Sequence, residues 1–280
     1  MANQLPNKNT RKRSFLTRLC FKLADIFFAV KAEVIEYIKF LKKCLNVFAW
    51  AILHPTKIRW RQVAFYCDVC GSNSTPIVSL LGFLIGVILA FQAIIQLGRF
   101  GVQNYVVNLV GTVIVTELAP LVTAVVLAGR TGSAFAAELS AMKSEEELDA
   151  LTTLGINQEK FLILPKLIAM LIVTPSLTVI SDICGIIGGM TVVTSMLNIS
   201  TTEYLNRTFE VIQFSDLSQG ICKGFFFGAI VSIVGCMKGF NSQSNAQGIG
   251  QATTSAVVIS IFLIVVVDAF ITAFFGLSLG

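Results

Sequence analysis

Residues 116–156 read TELAPLVTAVVLAGRTGSAFAAELSAMKSEEELDALTTLGI, an apolar run that ends in the most acidic cluster of the chain. The apolar part has the composition of a membrane span. Ser144 followed by Glu147 predicts a capping box, and Glu145 and Glu146 add negative charge where the dipole of a starting helix favours it. We therefore expect a short helix over residues 144–154, outside the membrane.

Such a helix is too short to be stable alone in water, so the spans on either side must hold it in place. Its leucines fall on one face beside the acidic residues, and this pattern suits a groove on a partner protein. We interpret the segment as a coupling helix. The residues expected to contact the partner are Glu145, Glu146, Glu147, Leu148 and Leu151.

The composition of the whole chain predicts an all-α integral membrane protein. Of its 280 residues, 55% are hydrophobic and 13% are charged, whereas soluble domains have roughly 45–50% apolar and about 25% charged residues. A single span needs about 20 apolar residues. Five apolar runs meet this length, and they cover residues 76–98, 105–129, 161–197, 220–237 and 253–279.

The third run contains Pro175 and is long enough for one tilted span or two tight ones. The loop after it, residues 198–219, carries three acidic residues and one arginine, which favours the outer side of the membrane and a single crossing. In the first run, Gly82, Gly86 and Ala90 recur every four residues. This spacing predicts that another helix approaches closely there.

The N-terminal region is strongly basic. Residues 1–62 hold thirteen basic and three acidic residues, net +10, while the remainder holds eight basic and thirteen acidic residues, net −5. The N-terminus is therefore expected in the cytoplasm. We interpret residues 1–14 as a disordered basic tail and residues 15–75 as an amphipathic region in the interface, with a soluble cap helix as the alternative. Attraction to anionic lipid headgroups explains the charge better than nucleic-acid binding.

Glu117 lies inside the second run, where a carboxylate costs at least about 2.5 kcal/mol unless it is paired, protonated or turned inward. No basic residue in a span is its evident partner. A structural hydrogen bond between helices and a role near a substrate are both consistent with this position.

The sequence contains no Walker motif, no metal-ligand cluster and no nucleophile–base set, so we predict no catalytic residue, metal or cofactor. Cys67 and Cys70 form a single CxxC without a second pair, which is weak support for a metal or redox site. The energy for any transport must then come from another chain.

Two segments of the chain resemble the MlaE/YrbE family of ABC-transporter permeases. They are ELAPLVTAVVLAGRTGSAFAAELSAMKSEEELDALTTLGI and, later in the chain, QATTSAVVISIFLIVVVDAFITAFF. The resemblance covers residues 76–275, so residues 76–280 are expected to form the permease domain. It implies phospholipid transport between the inner and outer membranes, which maintains outer-membrane lipid asymmetry. It also implies a homodimer in a bacterial inner membrane, or alternatively in the plastid inner envelope.

The same resemblance implies three further partner chains. These are an MlaF-like ABC ATPase, an MlaD-like MCE-domain protein on the outer face, and an MlaB-like STAS-domain protein on the ATPase. The ATPase would hydrolyse ATP and dock on the coupling helix.

A lipid pocket needs an apolar wall and a few polar groups near its mouth. Leu89, Gln92, Gln96 and Phe100 are spaced three or four apart and share one helical face over roughly 16 Å, the scale of an acyl chain. The alternative interpretation is structural: this face only packs on neighbouring helices. The residues expected to bind lipid are Leu89, Gln92, Gln96, Leu97, Phe100 and Glu117.

A different class of transporter also fits some of the pattern. Glu117, Asp182 and Asp268 could serve as ion-coupling carboxylates of a secondary transporter. The odd number of spans and the acidic coupling helix argue against that interpretation. A membrane-embedded enzyme would lack any recognisable catalytic set.

Overall fold

The structure is a computed structural model that describes residues 58–279 and, before them, residues 40, 42–44, 46–51, 53 and 54. The basic tail and most of the expected interfacial helix before residue 40 lie outside the described residues. The chain divides into two compact units, Met1–Asn46 and Val47–Gly280. The account below concerns the second unit.

From residue 60 to residue 279 the described chain is built of helices, without strands, which confirms the all-α prediction. We number the helices α1 to α8: Trp60–Ser72, Thr75–Arg99, Gln103–Ser144, Glu147–Thr153, Glu159–Leu197, Thr201–Val211, Phe214–Phe240 and Ala246–Leu279. Five of these helices, α2, α3, α5, α7 and α8, are long and apolar enough to cross a membrane. The prediction of five spans is confirmed. We call their ends inner and outer by the sidedness that the charges predict.

Helix α5 settles the question of one or two crossings in the third apolar run. It continues through Pro175 over 39 residues. A proline in a helix removes one backbone donor, and neighbouring hydroxyls and helices can compensate. Pro175 leaves the Leu171 carbonyl without its usual donor, and beside it the Ser176 and Thr178 hydroxyls donate to the carbonyls of Ile172 and Thr174 at 2.8 and 2.9 Å. The run is therefore a single helix.

Helices α2 and α5 pack with their backbones in direct contact. A Cβ atom on Gly86 would lie 1.9 Å from the carbonyl oxygen of Gly185, and one on Gly188 would lie 2.1 Å from that of Phe83. Only glycine permits so close an approach. The small-residue face of α2 thus meets α5, as the spacing of Gly82, Gly86 and Ala90 predicts.

Helix α1 was not expected as a separate element. It precedes α2 with only Asn73 and Ser74 between them, and it runs alongside α5, where the Cys67 thiol lies 4.0 Å from the carbonyl of Ala169. The chain from residue 60 to residue 99 therefore follows α5 for most of its length.

The outer loop is more ordered than its polar composition suggests. Helix α6 is capped by Ser200, whose hydroxyl accepts from the Glu203 amide at 3.2 Å. Tyr204 is fully buried, donates to the carbonyl of Ile186 at 3.3 Å, and belongs to the outer apolar core. Burial raises the pKa of this phenol to about 12. The tyrosine anchors the loop on α5.

The short helix α4 differs from the predicted helix over residues 144–154. Ser144 is still part of α3, Glu146 has a left-handed backbone with φ of 60°, and α4 begins at Glu147 without a side-chain cap. An N-cap serine needs an extended backbone, and Ser144 is helical instead. The capping-box prediction is wrong, and α4 is seven residues long.

Candidate functional site

The most polar place within the spans is centred on Lys223 of α7, whose side chain is fully buried. Its Nζ lies 2.5 Å from Oε2 of Glu117 on α3 and 2.8 Å from Oδ1 of Asp268 on α8. One ammonium group thus joins three spans through two carboxylates. We call Glu117, Lys223, Asp268 and Thr272 the Lys223 network.

Thr272 completes this network one helical turn beyond Asp268. Lys223 donates to the Thr272 hydroxyl at 2.8 Å, and that hydroxyl donates to Oε1 of Glu117 at 2.9 Å. The contact between Lys223 and Asp268 has the distance of an ion pair but not the angle of a hydrogen bond, so we treat it as a charge–charge contact. Glu117 therefore has both oxygens bound, and Asp268 is held mainly by charge.

The sequence-based expectation that Glu117 has no basic partner in a span is wrong. Lys223 lies in the segment ICKGFFFGAI, close to the start of the fourth apolar run. The pairing joins residues 106 apart in the chain, so no local spacing could reveal it.

The network is open on one side. Lys223 is completely enclosed, but the side chains of Glu117 and Asp268 are 30% and 18% exposed, and Thr272 is exposed. Two carboxylates and one ammonium carry a formal charge of about −1, so the open edge is acidic. A buried group of this kind requires partners, and its acidic edge can bind hydroxyl or ammonium groups of a ligand.

Glu117 also lies in an unusual turn of its helix. Residues Ile114–Leu118 form a π turn, as do residues Ala128–Gly132, which contain Arg130. Single π turns in α-helices occur often at functional sites. Glu117, inside the second apolar run, and Arg130, at its inner border, thus each lie in a π turn.

The three carboxylates of the secondary-transporter hypothesis are not brought together. Asp182 is buried on α5, but it makes none of the described contacts of the Lys223 network, and its Oδ1 has no hydrogen-bond partner among the described residues. Only Glu117 and Asp268 of that set share a site.

Except for Glu117 on α3, the residues expected to bind lipid lie along the outer half of α2 or just past its end. Leu89 and Leu97 pack against the outer apolar core, whereas Gln92 and Gln96 are exposed, and Phe100, just past the end of α2, is 77% exposed. These residues do share one helical face. In the single chain this face lies on the protein surface and is not enclosed as a pocket.

The residues expected to couple to an ATPase lie at the inner ends of the spans. Glu145, Glu146 and Glu147 are exposed, but Leu148 is only 5% exposed. Leu148 therefore anchors α4 on its own chain and does not face a partner, which corrects the expectation for that residue. Leu151 is half-buried.

Side chains from outside α4 fix this helix in place. Gln158 donates to the Leu148 carbonyl at 2.6 Å and to the Thr152 hydroxyl at 2.7 Å. Lys143 donates to the carbonyl of Phe240 at the inner end of α7, at 2.7 Å. A polar cavity of about 390 Å³ lies beside α4. The acidic surface is thus presented by a helix that Gln158, just before α5, ties to its own chain.

A second buried lysine lies near the inner ends of α3 and α5. Nζ of Lys166 is 3.0 Å from Oε2 of Glu138, and Tyr66 of α1 donates to Oε1 at 2.8 Å. The rings of Tyr66 and Phe135 lie 5.3 and 5.4 Å from the ammonium group. We call Tyr66, Glu138 and Lys166 the Lys166 cluster.

Burial weakens the acidity of the groups around this cluster. It raises the pKa of Tyr66, which the neighbouring Glu138 raises further, and it raises the pKa of the Cys70 thiol to about 11. Tyr66 therefore remains a hydrogen-bond donor at neutral pH. The Cys70 thiol stays protonated there and is a poor nucleophile or metal ligand.

Comparisons with known proteins agree with this architecture. A family model described as Permease MlaE matches residues 63–274. A protein of Rickettsia typhi named "Probable ABC transporter permease protein" is 39% identical over 212 residues, which are 76% of this chain and 80% of that one. A protein of the same name from Synechocystis is 32% identical, over 77% of this chain and 82% of its own length.

A plant protein is also similar. The Arabidopsis thaliana protein TRIGALACTOSYLDIACYLGLYCEROL 1, chloroplastic, is 31% identical over 224 residues, which are 80% of this chain and 64% of the plant protein. With five membrane-spanning helices and a family match that covers most of them, this chain belongs to the MlaE permease family of ABC transporters.

Proposed function

We propose that the chain is the permease subunit of an ATP-driven transporter that moves phospholipid between the inner and outer membranes and so maintains outer-membrane lipid asymmetry. The observation that carries this proposal is the open edge of the Lys223 network. A phospholipid that crosses apolar spans needs polar contacts for its headgroup, and the partly exposed carboxylate side chains of Glu117 and Asp268 suit hydroxyl or ammonium groups.

Two further observations support lipid as the cargo. The outer half of α2 offers exposed amides, Gln92 and Gln96, beside the apolar side chains of Leu89 and Leu97. In addition, the plant relative bears the name of a glycerolipid. A bacterial inner membrane is the proposed location, because most of the similar proteins above are bacterial.

Lipid identification is the direct test. We expect phospholipid to co-purify with the permease–ATPase complex and photo-cross-linkers at Leu89, Gln96 and Phe100 to capture it. Position 94 is a matched control because Ile94 is buried, and position 95 is another because Ile95 is 51% exposed on a neighbouring face. Labelling at positions 89, 96 and 100 should fall when ATP is added, while labelling at 95 stays constant. Equal, ATP-independent labelling at all exposed positions would mean ordinary bilayer contact.

We propose that α4 couples the permease to a separate, MlaF-like ATPase. Helix α3 supports this role, because it runs without a break over 42 residues from the outer turn, through Glu117, to the residue before the α4 corner. A displacement of α4 would therefore reach the Lys223 network through one continuous helix.

Charge reversal tests this coupling. Changing Glu146 and Glu147 to Lys should abolish co-purification of the ATPase while the permease still inserts and folds, because both side chains are exposed. The matched control reverses Glu203 and Glu210, two exposed acidic residues of α6 at the opposite end. Unchanged capture of the ATPase by the first variant would disprove the assignment.

We also propose a homodimer, with the lipid cavity between the protomers. Its support is α8, which exposes large apolar side chains along its length: Val258, Phe262, Val265, Phe270 and Phe274. A symmetric pair would enclose surfaces that one chain leaves open. An MlaD-like MCE-domain protein on the outer face and an MlaB-like STAS-domain protein on the ATPase complete the proposed assembly. Cross-linking in nanodiscs should detect the dimer, and monomer alone would contradict it.

A further inference from the structure

A groove lies between α1 and the inner part of α3, with a cavity of about 300 Å³. Each wall is a row of residues four apart on one helix. The rows are Phe65, Val69 and Asn73 on α1 and the following turn, and Arg130, Ala134 and Glu138 on α3. Residues four apart share a helical face, so the groove runs along both helices for roughly two turns, about 12 Å.

The two charged residues of the groove are not equivalent. Glu138 is neutralised by Lys166 at 3.0 Å and accepts a hydrogen bond from Tyr66. Arg130 is exposed, and none of the ion pairs in the described part of the chain includes it. The groove therefore has a positive end at Arg130, and its other walls are mainly apolar.

The depth of Arg130 follows from the length of α3. The outer turn ends near Tyr105, and about 20 residues cross a hydrocarbon core of about 30 Å. The hydrocarbon should then end near Val125, and Arg130 lies about 7 Å beyond it. Headgroup phosphates occupy this level on the cytoplasmic side.

An apolar stripe continues from the groove into the membrane. Above Asn73, exposed residues of α2 recur every three or four positions along the same face: Ile77, Leu80, Leu84 and Ile88. They are 43%, 59%, 43% and 65% exposed. A guanidinium at headgroup depth with an exposed apolar stripe above it complements an amphiphile with an anionic head.

We propose that this groove binds a phospholipid of the cytoplasmic leaflet, with the headgroup phosphate on Arg130 and an acyl chain along the stripe on α2. Arginine binds phosphate oxygens through two parallel N–H groups. An anionic headgroup such as phosphatidylglycerol should be preferred over a zwitterionic one, because the groove carries net positive charge. This site is separate from the outer half of α2, and it does not depend on the direction or cargo of transport.

The test is native mass spectrometry of the detergent-solubilised full-length protein, titrated with dioleoylphosphatidylglycerol. Arg130→Gln should weaken one bound lipid equivalent at least fivefold, while Arg130→Lys should keep part of the affinity. The matched control is Arg99→Gln, because Arg99 is an exposed arginine at the outer end of α2. Equal binding by wild type and Arg130→Gln, or an equal loss in Arg99→Gln, would overturn the proposal.

Two further measurements distinguish a bound phospholipid from other occupants of the groove. Leu80→Asn should weaken phosphatidylglycerol binding, and inorganic phosphate at millimolar concentration should not displace the lipid. Displacement by phosphate together with an unaffected Leu80→Asn variant would indicate a soluble anion site instead. A change in the oligomeric mass of Arg130→Gln without loss of lipid would indicate that a second copy covers the groove, which also overturns the proposal.

Discussion

Two lysines with no exposed side-chain surface lie at different levels of the spans, and their surroundings differ. Lys223 is shared by two carboxylates and a hydroxyl from α3 and α8. Lys166 has one carboxylate, Glu138, and the faces of two aromatic rings. The Lys223 network is therefore formally acidic, whereas the Lys166 cluster is formally neutral.

This difference separates a functional polar group from a structural one. A neutral ion pair with a tyrosine donor ties α1, α3 and α5 together, but it offers little to a ligand. The Lys223 network is acidic and open on one side, so its carboxylates can still accept hydrogen bonds from a ligand. It does so within the spans, where burying polar groups costs free energy. We therefore expect the Lys223 network to matter for transport and the Lys166 cluster to matter for stability.

The largest expected effect comes from Lys223→Met, which leaves Glu117 and Asp268 facing each other without a cation. Breaking a buried ion pair from one side costs about 3–5 kcal/mol. Thermal unfolding in detergent should show a large loss. The triple variant Lys223→Met, Glu117→Gln, Asp268→Asn removes all the charges and should regain most of that stability while transport stays absent. Equal melting temperatures of the two variants would contradict the charge argument, and transport by the triple variant would contradict the functional one.

Lys166→Met should have a smaller effect on stability. The carboxylate left behind, Glu138, is 41% exposed and can be hydrated, and Tyr66 still donates to it. We expect a loss below the roughly 3–5 kcal/mol of a broken, fully buried ion pair. Lipid transport per folded molecule should be unchanged. A transport defect at wild-type stability would show that the two lysines do not divide their roles in this way.

Thr272→Val sharpens the comparison within the Lys223 network. The isosteric change removes the hydroxyl that bridges Lys223 and Glu117 but leaves both ion pairs. Stability should fall by about 1 kcal/mol, the value of an ordinary hydrogen bond. Transport should fall more than this loss of folded protein explains. Thr254→Val, at an exposed position on the same helix, is the control.

The smallest effect is expected for Tyr66→Phe in the Lys166 cluster. This change removes one hydrogen bond to Glu138, whose other oxygen remains paired with Lys166. Unfolding should become easier by less than about 1 kcal/mol, since Glu138 is reachable by water. Transport assays should show no difference, and a clear loss of activity would mean that α1 takes part in the cycle.

Local pattern predicted much of the fold. The number of spans, the single crossing of residues 159–197 and the close approach at Gly86 all depend on apolar length, loop charge and the spacing of small residues. These signals extend over one helix or one pair of helices. Each can therefore be seen within a few turns of sequence.

The site was harder to predict because its contacts join distant parts of the chain. Lys223 and Glu117 are 106 residues apart, and Thr272 and Glu117 are 155 apart. The outward role expected of Leu148 failed for a related reason, since helical spacing shows which residues share a face but not which way that face points. The corner before α4 was missed because Glu146, with φ of 60°, adopts a conformation that non-glycine residues rarely use.

The backbone contact between α2 and α5 limits how this permease can move. At Gly86 and Gly188 the absence of a Cβ atom lets each glycine contact a carbonyl group of the other helix. The two helices therefore cannot slide or rotate against each other there without steric clashes. The two helices should therefore behave as one rigid block through the ATP cycle. Among the described residues, helix α8 packs mainly on α3 and α7 and is joined to them through Lys223. Spectroscopic distances between labels on α2 and α5 should then stay constant while ATP is hydrolysed, and distances from α2 to α8 should change.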